Sequence, residues 1–326
     1  MAKPPVTTDV AVAPAAAPAP ALAPAPGAAP MVLRGILMMV VAVFLFTCMD
    51  AVVKWVGRTY PTGQIVFFRN LVAFLPISLF VARTGGLAVL RTGNLAGHAL
   101  RSVVGLAAMA SFFAAYALMP LGDAVAIGMS GPIFMTALSV PLLREQVGLR
   151  RWTAVVVGFA GVLLMTRPGA GALAPGALLA LSGALFYALA MISIRKLSRT
   201  EHPTTIAFYF TLFATLVAAL VLPFGQWKTP ESLADLGLLV AIGLIGGFAQ
   251  FAMTHAFRLA PVAIVAPFDY LALVFAMVLG YAIWGDLPDA WILSGAAVVA
   301  ASGLYILHRE TVLARRRRAA ARAGQV

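Results

Sequence analysis

The sequence predicts an all-α integral membrane protein of ten transmembrane helices, arranged as two inverted five-helix repeats. Three observations support this fold class: an apolar composition, apolar blocks of membrane-spanning length, and an internal repeat that carries Gly35 onto Gly176, an offset of 141 residues. Hydrophobic residues make up 62% of the chain and charged residues only 10%, whereas a soluble domain is about 25% charged. With a mean hydropathy of +0.97, the chain has too little polar surface for water, so lipid is its expected solvent.

A transmembrane helix needs about 20 mostly apolar residues, and ten blocks of the sequence approach or exceed that length. The blocks are solid runs rich in Ala, Leu and Gly, unlike the alternating segments of a membrane β-barrel. Helices satisfy their own backbone hydrogen bonds, as the lipid interior requires. The predicted spans are 35–57, 62–82, 100–118, 123–143, 152–167, 175–194, 203–223, 237–256, 262–284 and 290–308.

Two tails flank the spans. Residues 1–33 are rich in Pro and Ala, and such low-complexity sequence is predicted to be a disordered tail. Residues 309–326 are rich in Arg, which suits contact with anionic lipid head groups beside the last helix, so we expect no nucleic-acid partner. The repeats themselves are predicted at 34–169 and 170–308.

Positive charge orients membrane spans. If both termini are cytoplasmic, most of the 23 Lys and Arg residues lie on the cytoplasmic side, so this orientation is predicted. Because each repeat has an odd number of spans, the two repeats enter the membrane from opposite faces. Lys54 and its repeat mate Arg195 are then expected near opposite surfaces, and Glu145 is the repeat mate of Asp286. A substrate site is expected between the repeats, near the midplane.

Several local patterns recur in order along both halves. They are FLFTCMDAVVKWVG (44–57), FFRN (67–70), YALMPLGDAVAIGMSGPIFMTALSVPLLREQV (116–147), GFAGVLLM (158–165) and HAFRLAPVAIVAPFDYLALVFAMVLGYAIWGD (255–286). In these segments the chain resembles the drug/metabolite transporter superfamily, in its ten-helix branch built from two EamA-type domains. Family halves usually have Gly-Glu before the last helix, whereas this chain has Arg144-Glu145 and Gly285-Asp286. The resemblance implies an inner-membrane carrier that moves small metabolites by alternating access.

Asp50 and Arg69 form the first candidate polar pair. A charge at the bilayer centre costs about 2.5–3.5 kcal/mol or more, so such residues are paired or functional. With 1.5 Å of rise per residue, both lie roughly 12–15 Å below the turn that joins their helices. We expect Arg69 to attract an anionic substrate group and Asp50 to couple protons, with Asn70 extending the substrate site. The alternatives are a purely structural ion pair, or pairing of Asp50 with its i, i+4 neighbour Lys54.

Gln250 and Asp269 form the second candidate pair, at a common depth measured from the other membrane face. Asp269 aligns with Gly128, so only one repeat carries this acid, as expected for a site built on a pseudo-symmetric scaffold. A buried carboxylate can bind and release a proton near neutral pH, so Asp269 is predicted to couple protons. Gln250 is predicted to bind substrate.

Aromatic residues and prolines complete the prediction. Tyr116, Tyr187 and Tyr270 are expected to stack on a flat substrate, although simple packing is the alternative. Pro132 and Pro267 lie inside the fourth and ninth spans, where each removes a backbone hydrogen bond and can kink its helix.

The predicted function is secondary transport of a small metabolite: an amino acid, a vitamin such as riboflavin, or a nucleoside-like or adenosylated compound. No GxxxxGK[ST] run is present, so an ion gradient or exchange is expected to drive it. With one cysteine, Cys48, and no HExxH motif, we expect no metal, cofactor or catalytic residue. The alternatives are a flippase for a lipid-linked or lipid-like substrate, an intramembrane enzyme, and a channel.

Overall fold

Helices account for all the regular structure in the part of the chain that the computed structural model describes. The described residues are 28–143, 149–166, 174–221, 227–260 and 262–323. Among them, eight helices are long and apolar enough to cross a membrane, and two shorter apolar helices cover Trp152–Thr166 and Ala290–Ile306. This arrangement confirms the predicted all-α membrane fold with two five-helix repeats.

The two repeats have matching element orders. The first contains α1 (Ala28–Val56), α2 (Thr62–Thr84), a 3-10 helix (Gly86–Leu90), α3 (Leu95–Leu118), α4 (Leu121–Gly128), α5 (Gly131–Leu143) and α6 (Leu149–Thr166). The second contains α7 (Pro175–Leu197), α8 (Pro203–Val221), α9 (Leu233–Leu259), α10 (Val262–Val265), a second 3-10 helix (Ala266–Tyr270), α11 (Leu271–Trp284) and α12 (Ala290–Ala323). Capping side chains mark two of the helix starts: Asn94 accepts a hydrogen bond from the Gly97 amide, and Ser232 accepts one from the Asp235 amide.

The helix ends differ from the predicted boundaries in several places. α1 begins at Ala28, earlier than predicted, and residues 1–27 of the predicted N-terminal tail lie outside the described residues. α12 continues to Ala323, so most of the predicted basic tail prolongs the last helix. α3 begins at Leu95, five residues before its predicted start. The Arg-rich stretch after residue 308 hides the continuation of α12 from the apolar pattern, and Pro30, Arg34 and His98 interrupt the apolar runs at the starts of α1 and α3.

The fourth span of each repeat is interrupted, whereas the sequence was expected to form one helix in each. In the first repeat the break separates α4 from α5 at Met129 and Ser130, and Pro132 follows at the second position of α5. In the second repeat Pro267 lies in the 3-10 helix between α10 and α11. Proline lacks a backbone N–H and so removes a hydrogen bond from its helix. Both breaks lie beside the prolines that predict kinks. Discontinuous helices of this kind often line the binding sites of transporters.

The repeats are interleaved. α1 packs mainly against α9 and α11 of the second repeat, and α7 packs in the same way against α3 and α5 of the first. The 141-residue offset carries α1 onto α7, α3 onto α9 and α5 onto α11, so these contacts are related by the pseudo-symmetry. α2 with α8, and α6 with α12, form two further pairs between the repeats. The first helix of each repeat is therefore surrounded largely by the other repeat.

Large apolar side chains cover the outside of the bundle. Leu75, Leu100 and Leu220 are among many that are more than half exposed in the isolated chain. A soluble protein rarely exposes so much contiguous apolar surface. This surface suits contact with lipid acyl chains.

A close approach of α6 and α12 depends on two glycines. A Cβ atom at Gly161 would lie 2.8 Å from the Gly295 carbonyl oxygen, and one at Gly295 would lie 2.5 Å from the Gly161 carbonyl oxygen. Both distances are shorter than real Cβ contacts, so the backbones touch here only because both residues lack side chains.

We expect Gly295→Leu to force α6 and α12 apart and to lower the free energy of unfolding by about 1–3 kcal/mol. Thermal unfolding of the purified protein in detergent measures the effect. Gly237→Leu is the matched control, because a Cβ atom at Gly237 meets no atom within 4 Å. Equal melting temperatures for the two variants would contradict the proposed role of this contact.

Candidate substrate chamber

Asp50 and Tyr116 join α1 to α3 inside the bundle. The Tyr116 hydroxyl donates a hydrogen bond of 3.3 Å to Oδ2 of Asp50. The Phe112 ring stacks beside Tyr116, with 6.2 Å between ring centroids and 16° between ring planes. Gly183 of α7 makes room for Phe112, since a Cβ atom there would lie 3.0 Å from the ring. A carboxylate, a phenol and a stacked ring therefore share one layer between the repeats.

Arg69 lies in the interior and keeps an unused donor. Its side chain is 8% exposed, and Nη1 donates a 3.0 Å hydrogen bond to Oδ1 of the fully buried Asn70. Asn70 in turn donates to the Val66 carbonyl oxygen at 2.8 Å, which fixes its amide. Nε of Arg69 is buried and has no hydrogen-bond partner. Asn70 thus positions a guanidinium group that has spare capacity for a ligand.

Asp50 and Arg69 attract one another electrostatically but form no ion pair within 4 Å. The sequence left open whether they form a purely structural ion pair, and the described geometry does not show one. Each keeps its own neighbours, Tyr116 for Asp50 and Asn70 for Arg69. Because Asp50 and Arg69 do not touch each other, their contact does not keep a solute group out of the space between them.

Lys54 pairs across the repeats and not with Asp50. Its Nζ lies 2.9 Å from Oδ2 of Asp286 and donates to the Met119 carbonyl oxygen at 3.0 Å. The ammonium also lies 4.8 Å from the centroid of the Trp284 ring. The i, i+4 alternative for Asp50 is therefore wrong, because Lys54 is held by Trp284 at the end of α11 and by Asp286, two residues later. The repeat predicts the same pairing for Arg195 and Glu145, of which Glu145 lies outside the described residues.

Asp269 and Tyr187 form a second polar group. Asp269 lies in the 3-10 helix that interrupts the ninth span, and its charge acts on the phenol of Tyr187 in α7. The Tyr187 ring lies against Gly131 at the start of α5, where a Cβ atom would lie 3.0 Å from it. Tyr187 nevertheless keeps 38% of its surface exposed. α5, α7 and the interrupted span thus bring a phenol and a carboxylate to one accessible region.

Two predicted residues lie apart from these groups. The hydroxyl of Tyr270 lies against Gly303 of α12, so its ring packs between helices. Gln250 lines a crevice between α2, α8 and α9 with Pro76 and Thr204. The expected pairing of Gln250 with Asp269 does not appear among the described contacts. A shared depth along two helices does not make their side chains face each other.

Arg101, His98 and Glu201 form a polar group that the sequence did not suggest. The Arg101 guanidinium lies 3.7 Å from the centroid of the Phe210 ring, and its buried Nε and Nη1 have no hydrogen-bond partner. One turn earlier, His98 lies 3.6 Å from Glu201, which also accepts a 2.7 Å hydrogen bond from Thr92. The predicted start of α3 at residue 100 placed Arg101 at the membrane surface. The true start at Leu95 places it nearly two turns inside the helix.

Comparison with protein families gives a match over both repeats. The model of the EamA-like transporter family matches residues 33–167 and 174–308. One crystal structure covers 86% of this chain and 98% of its own, with a TM-score of 0.58 at 20% sequence identity, and shows a similar fold.

Curated relatives match over most of their length. The pseudopaline exporter CntI of Pseudomonas aeruginosa is 34% identical over 266 residues, which cover 81% of this chain and 93% of the relative. The riboflavin transporter of Vibrio cholerae is 28% identical and is covered to 97%, against 88% of this chain. The S-adenosylmethionine uptake transporter of Rickettsia prowazekii is 27% identical and is covered to 94%, against 85% of this chain.

We expect Lys54→Met to lower the free energy of unfolding by about 1–3 kcal/mol, since it leaves the Asp286 carboxylate without its cation. The loss is smaller than for a fully buried pair because the Asp286 side chain is 29% exposed. Thermal unfolding in detergent measures it, and the exchanged pair Lys54→Asp with Asp286→Lys should recover part of the loss.

Lys228→Met is the matched control for the Lys54 experiment. Lys228 pairs with Glu231 at 3.5 Å, but both side chains are largely exposed, so the change should have little effect. If Lys54→Met were as harmless as this control, the Lys54–Asp286 pair would not stabilise the contact between the repeats.

Proposed function

The chain belongs to the EamA-like transporter family, as its sequence predicted, and from this premise we propose that it is a secondary carrier working by alternating access. It is a multi-pass membrane protein and a small-metabolite transporter of that family. The observation that carries the proposed mechanism is the placement of Asp50, Tyr116 and Arg69 inside the bundle, among the contacts between the two interleaved repeats.

We place the carrier in the cell inner membrane with both termini in the cytoplasm. The distribution of Lys and Arg supports this orientation. The Lys54–Asp286 pair then lies on the external side, and the basic end of α12 lies beside cytoplasmic lipid head groups. We call the region between the repeats around Asp50, Tyr116 and Arg69 the chamber. Rocking of one repeat against the other would open the chamber to each side of the membrane in turn.

Arg69 and two tyrosines form the core of the proposed solute site. The unpartnered Nε of Arg69 offers a charge-assisted hydrogen bond to a carboxylate or another anionic group. Tyr116 and Tyr187 provide aromatic faces for a flat or apolar part of the solute. Asn70 holds Arg69 in place through its side-chain oxygen. Gln250 and Tyr270 are proposed as outer contacts that act as the helices move.

Asp50 and Asp269 are the proposed proton carriers. Each is a carboxylate in a membrane-spanning segment, with Asp50 half-buried and Asp269 exposed, and no ion pair with a cation is present for either among the described residues. Protonation removes the cost of an uncompensated charge, so each acid can change its protonation state as the chamber opens to either side. Asp269 lies in an interrupted span, where a change of helix packing alters its surroundings directly.

The curated relatives are named for pseudopaline, riboflavin and S-adenosylmethionine. These names support a small polar metabolite, amino-acid-like or nucleoside-like, as the solute of this chain. The combination of one guanidinium, one acid and stacked rings suits such a molecule better than a lipid tail. Transport of a fluorescent lipid analogue, with no transport of any water-soluble probe, would favour a flippase instead.

We expect Asp269→Asn to abolish the stimulation of uptake by a pH gradient, with a loss of about tenfold. The amide keeps the shape of the side chain but cannot exchange a proton. Purified protein in liposomes is tested with labelled riboflavin, labelled S-adenosylmethionine and a labelled amino-acid mixture, with and without the gradient. Asp235→Asn, at the start of α9, is the control. Undiminished gradient-driven uptake by the Asp269 variant would remove this residue from the mechanism.

We expect Tyr116→Phe to change the pH profile of uptake, because the change removes the hydroxyl that donates to Asp50 and keeps the ring beside Phe112. Initial uptake rates across external pH values measure the effect in the same liposomes. Tyr305→Phe, on an exposed position of α12, is the control. A Tyr116 variant with the profile of the unmodified protein would show that this hydrogen bond plays no part in coupling.

A further inference from the structure

Two arginine side chains, the buried Arg69 on α2 and the half-buried Arg101 on α3, keep buried donors without partners. These donors are Nε of Arg69 and both Nε and Nη1 of Arg101. Helices α2 and α3 are in contact, since Asn70 beside Arg69 lies 3.6 Å from the sulfur of Met109 on α3, and the two positive charges repel one another. Among the described residues neither has an acid within 4 Å. The sequence directed attention to Arg69 alone.

The pseudo-symmetry gives the two arginines related positions. Arg69 lies over Gly246 of α9, where a Cβ atom would be 3.5 Å from Nε. Arg101 lies over Gly105 of its own helix α3, where a Cβ atom would be 2.8 Å from Nη1. The 141-residue offset carries Gly105 onto Gly246. Both arginines belong to the first repeat, and their guanidinium groups lie over two glycines that the offset relates.

The side chains that lie over these two glycines differ between the two sites. The offset carries Arg69 onto Phe210, and it is Phe210 that lies over Gly105 and stacks on Arg101. Over Gly246 of α9 the cation comes from α2 of the other repeat. Over Gly105 of α3 the equivalent place is taken by Phe210 of α8, and the cation comes from α3 itself. Two cations thus occur at pseudo-symmetric positions although the residues that supply them are not repeat mates.

A structural role does not account for this arrangement. Burying a guanidinium without an acid is costly, and burying two that repel each other costs more. Two acids that contact residues of α3 have their own partners: Asp50 accepts from Tyr116, and Glu201 is engaged by Thr92 and His98. Charges within a membrane that form no ion pair are candidates for binding an oppositely charged ligand.

We propose that Arg69 and Arg101 together form a subsite for a solute that carries two separate acid groups, one bound by each guanidinium. This inference rests on the proposed carrier function and narrows its substrate class to dicarboxylates and their amino or aromatic derivatives. The planar fork of arginine matches a carboxylate through two parallel hydrogen bonds. A single phosphate group places its charge at one point and would engage only one of the two arginines fully. The ring of Phe210, which stacks on Arg101, suits the carbon skeleton of the solute.

The test uses thermal unfolding of the purified full chain in detergent. The probes are succinate, glutarate, adipate and pimelate, each compared with its own mono-amide, and glycerol phosphate as the phosphate probe. We expect at least one dicarboxylate to raise the melting temperature at a concentration at least tenfold lower than its mono-amide and than glycerol phosphate. Arg101→Gln and Arg69→Gln should each remove this preference, and Arg101→Lys should weaken it. Arg199→Gln, at an exposed turn, should keep it.

The ligand-free proteins give a second readout. Removal of an uncompensated buried charge should leave the melting temperature of Arg101→Gln equal to or higher than that of the unmodified protein. A variant that unfolds earlier, or fails to fold, would show that Arg101 is structural and would overturn the proposal. Equal responses to every dicarboxylate and its mono-amide would overturn it as well.

Flux measurements separate this inference from the carrier function. A dicarboxylate that stabilises the protein but is not transported in liposomes would support the subsite and contradict the carrier. Saturable transport of riboflavin, S-adenosylmethionine or amino acids without any preference for two acid groups would support the carrier and contradict the subsite.

Discussion

The cost of charge inside lipid is the constraint on which this structure depends. With so few charged residues, each one that enters the membrane needs a partner or a use. Lys54 has both an acid and a carbonyl oxygen as partners, and its ion pair connects α1 with Asp286, two residues after the end of α11. Arg69, Arg101, Asp50 and Asp269 have no such ion pair among the described residues. The paired charge stabilises the assembly, and the unpaired ones collect between the repeats where a solute and protons can neutralise them.

Because the repeats are interleaved, helices from both halves form the walls of the chamber. Since α1 is held by α9 and α11, and α7 by α3 and α5, displacement of either helix alters the contacts of the other repeat. The α6–α12 contact, closed by Gly161 and Gly295, is a tight seam away from the polar residues. Such a scaffold combines close packing at the seam with interrupted fourth spans beside the chamber. Motion is then expected where hydrogen bonding is already broken, at the α4–α5 and α10–α11 junctions.

The sequence predicted the spans, their number and the repeat, because hydrophobic length and turn residues are local signals. It also identified Asp50, Arg69 and Tyr116, since polar residues in apolar blocks are conspicuous. It missed Arg101 because the predicted span begins at residue 100, whereas α3 begins at Leu95, where Gly97 and His98 weaken the hydropathy signal. It paired Gln250 with Asp269 by depth alone, although the direction of a side chain around its helix depends on packing with other helices. The partner of Lys54 is 232 positions away, and no local pattern reveals such a contact.

The backbone of this protein is pseudo-symmetric, whereas the residues proposed to bind the solute and protons differ between the two halves. Gly105 and Gly246 are conserved between the two halves of the chain because both sites require close approach by a neighbouring side chain. The neighbour differs, since one half supplies Arg69 and the other supplies Phe210. Asp269 likewise differs from its repeat mate, which is the glycine Gly128. A carrier that opens alternately to two sides needs two similar half-structures, but a solute with its own asymmetric arrangement of charges needs one site that is not symmetric. The backbone positions are equivalent in the two halves, whereas each acid and the stacked ring occur in one half only. This arrangement satisfies both requirements.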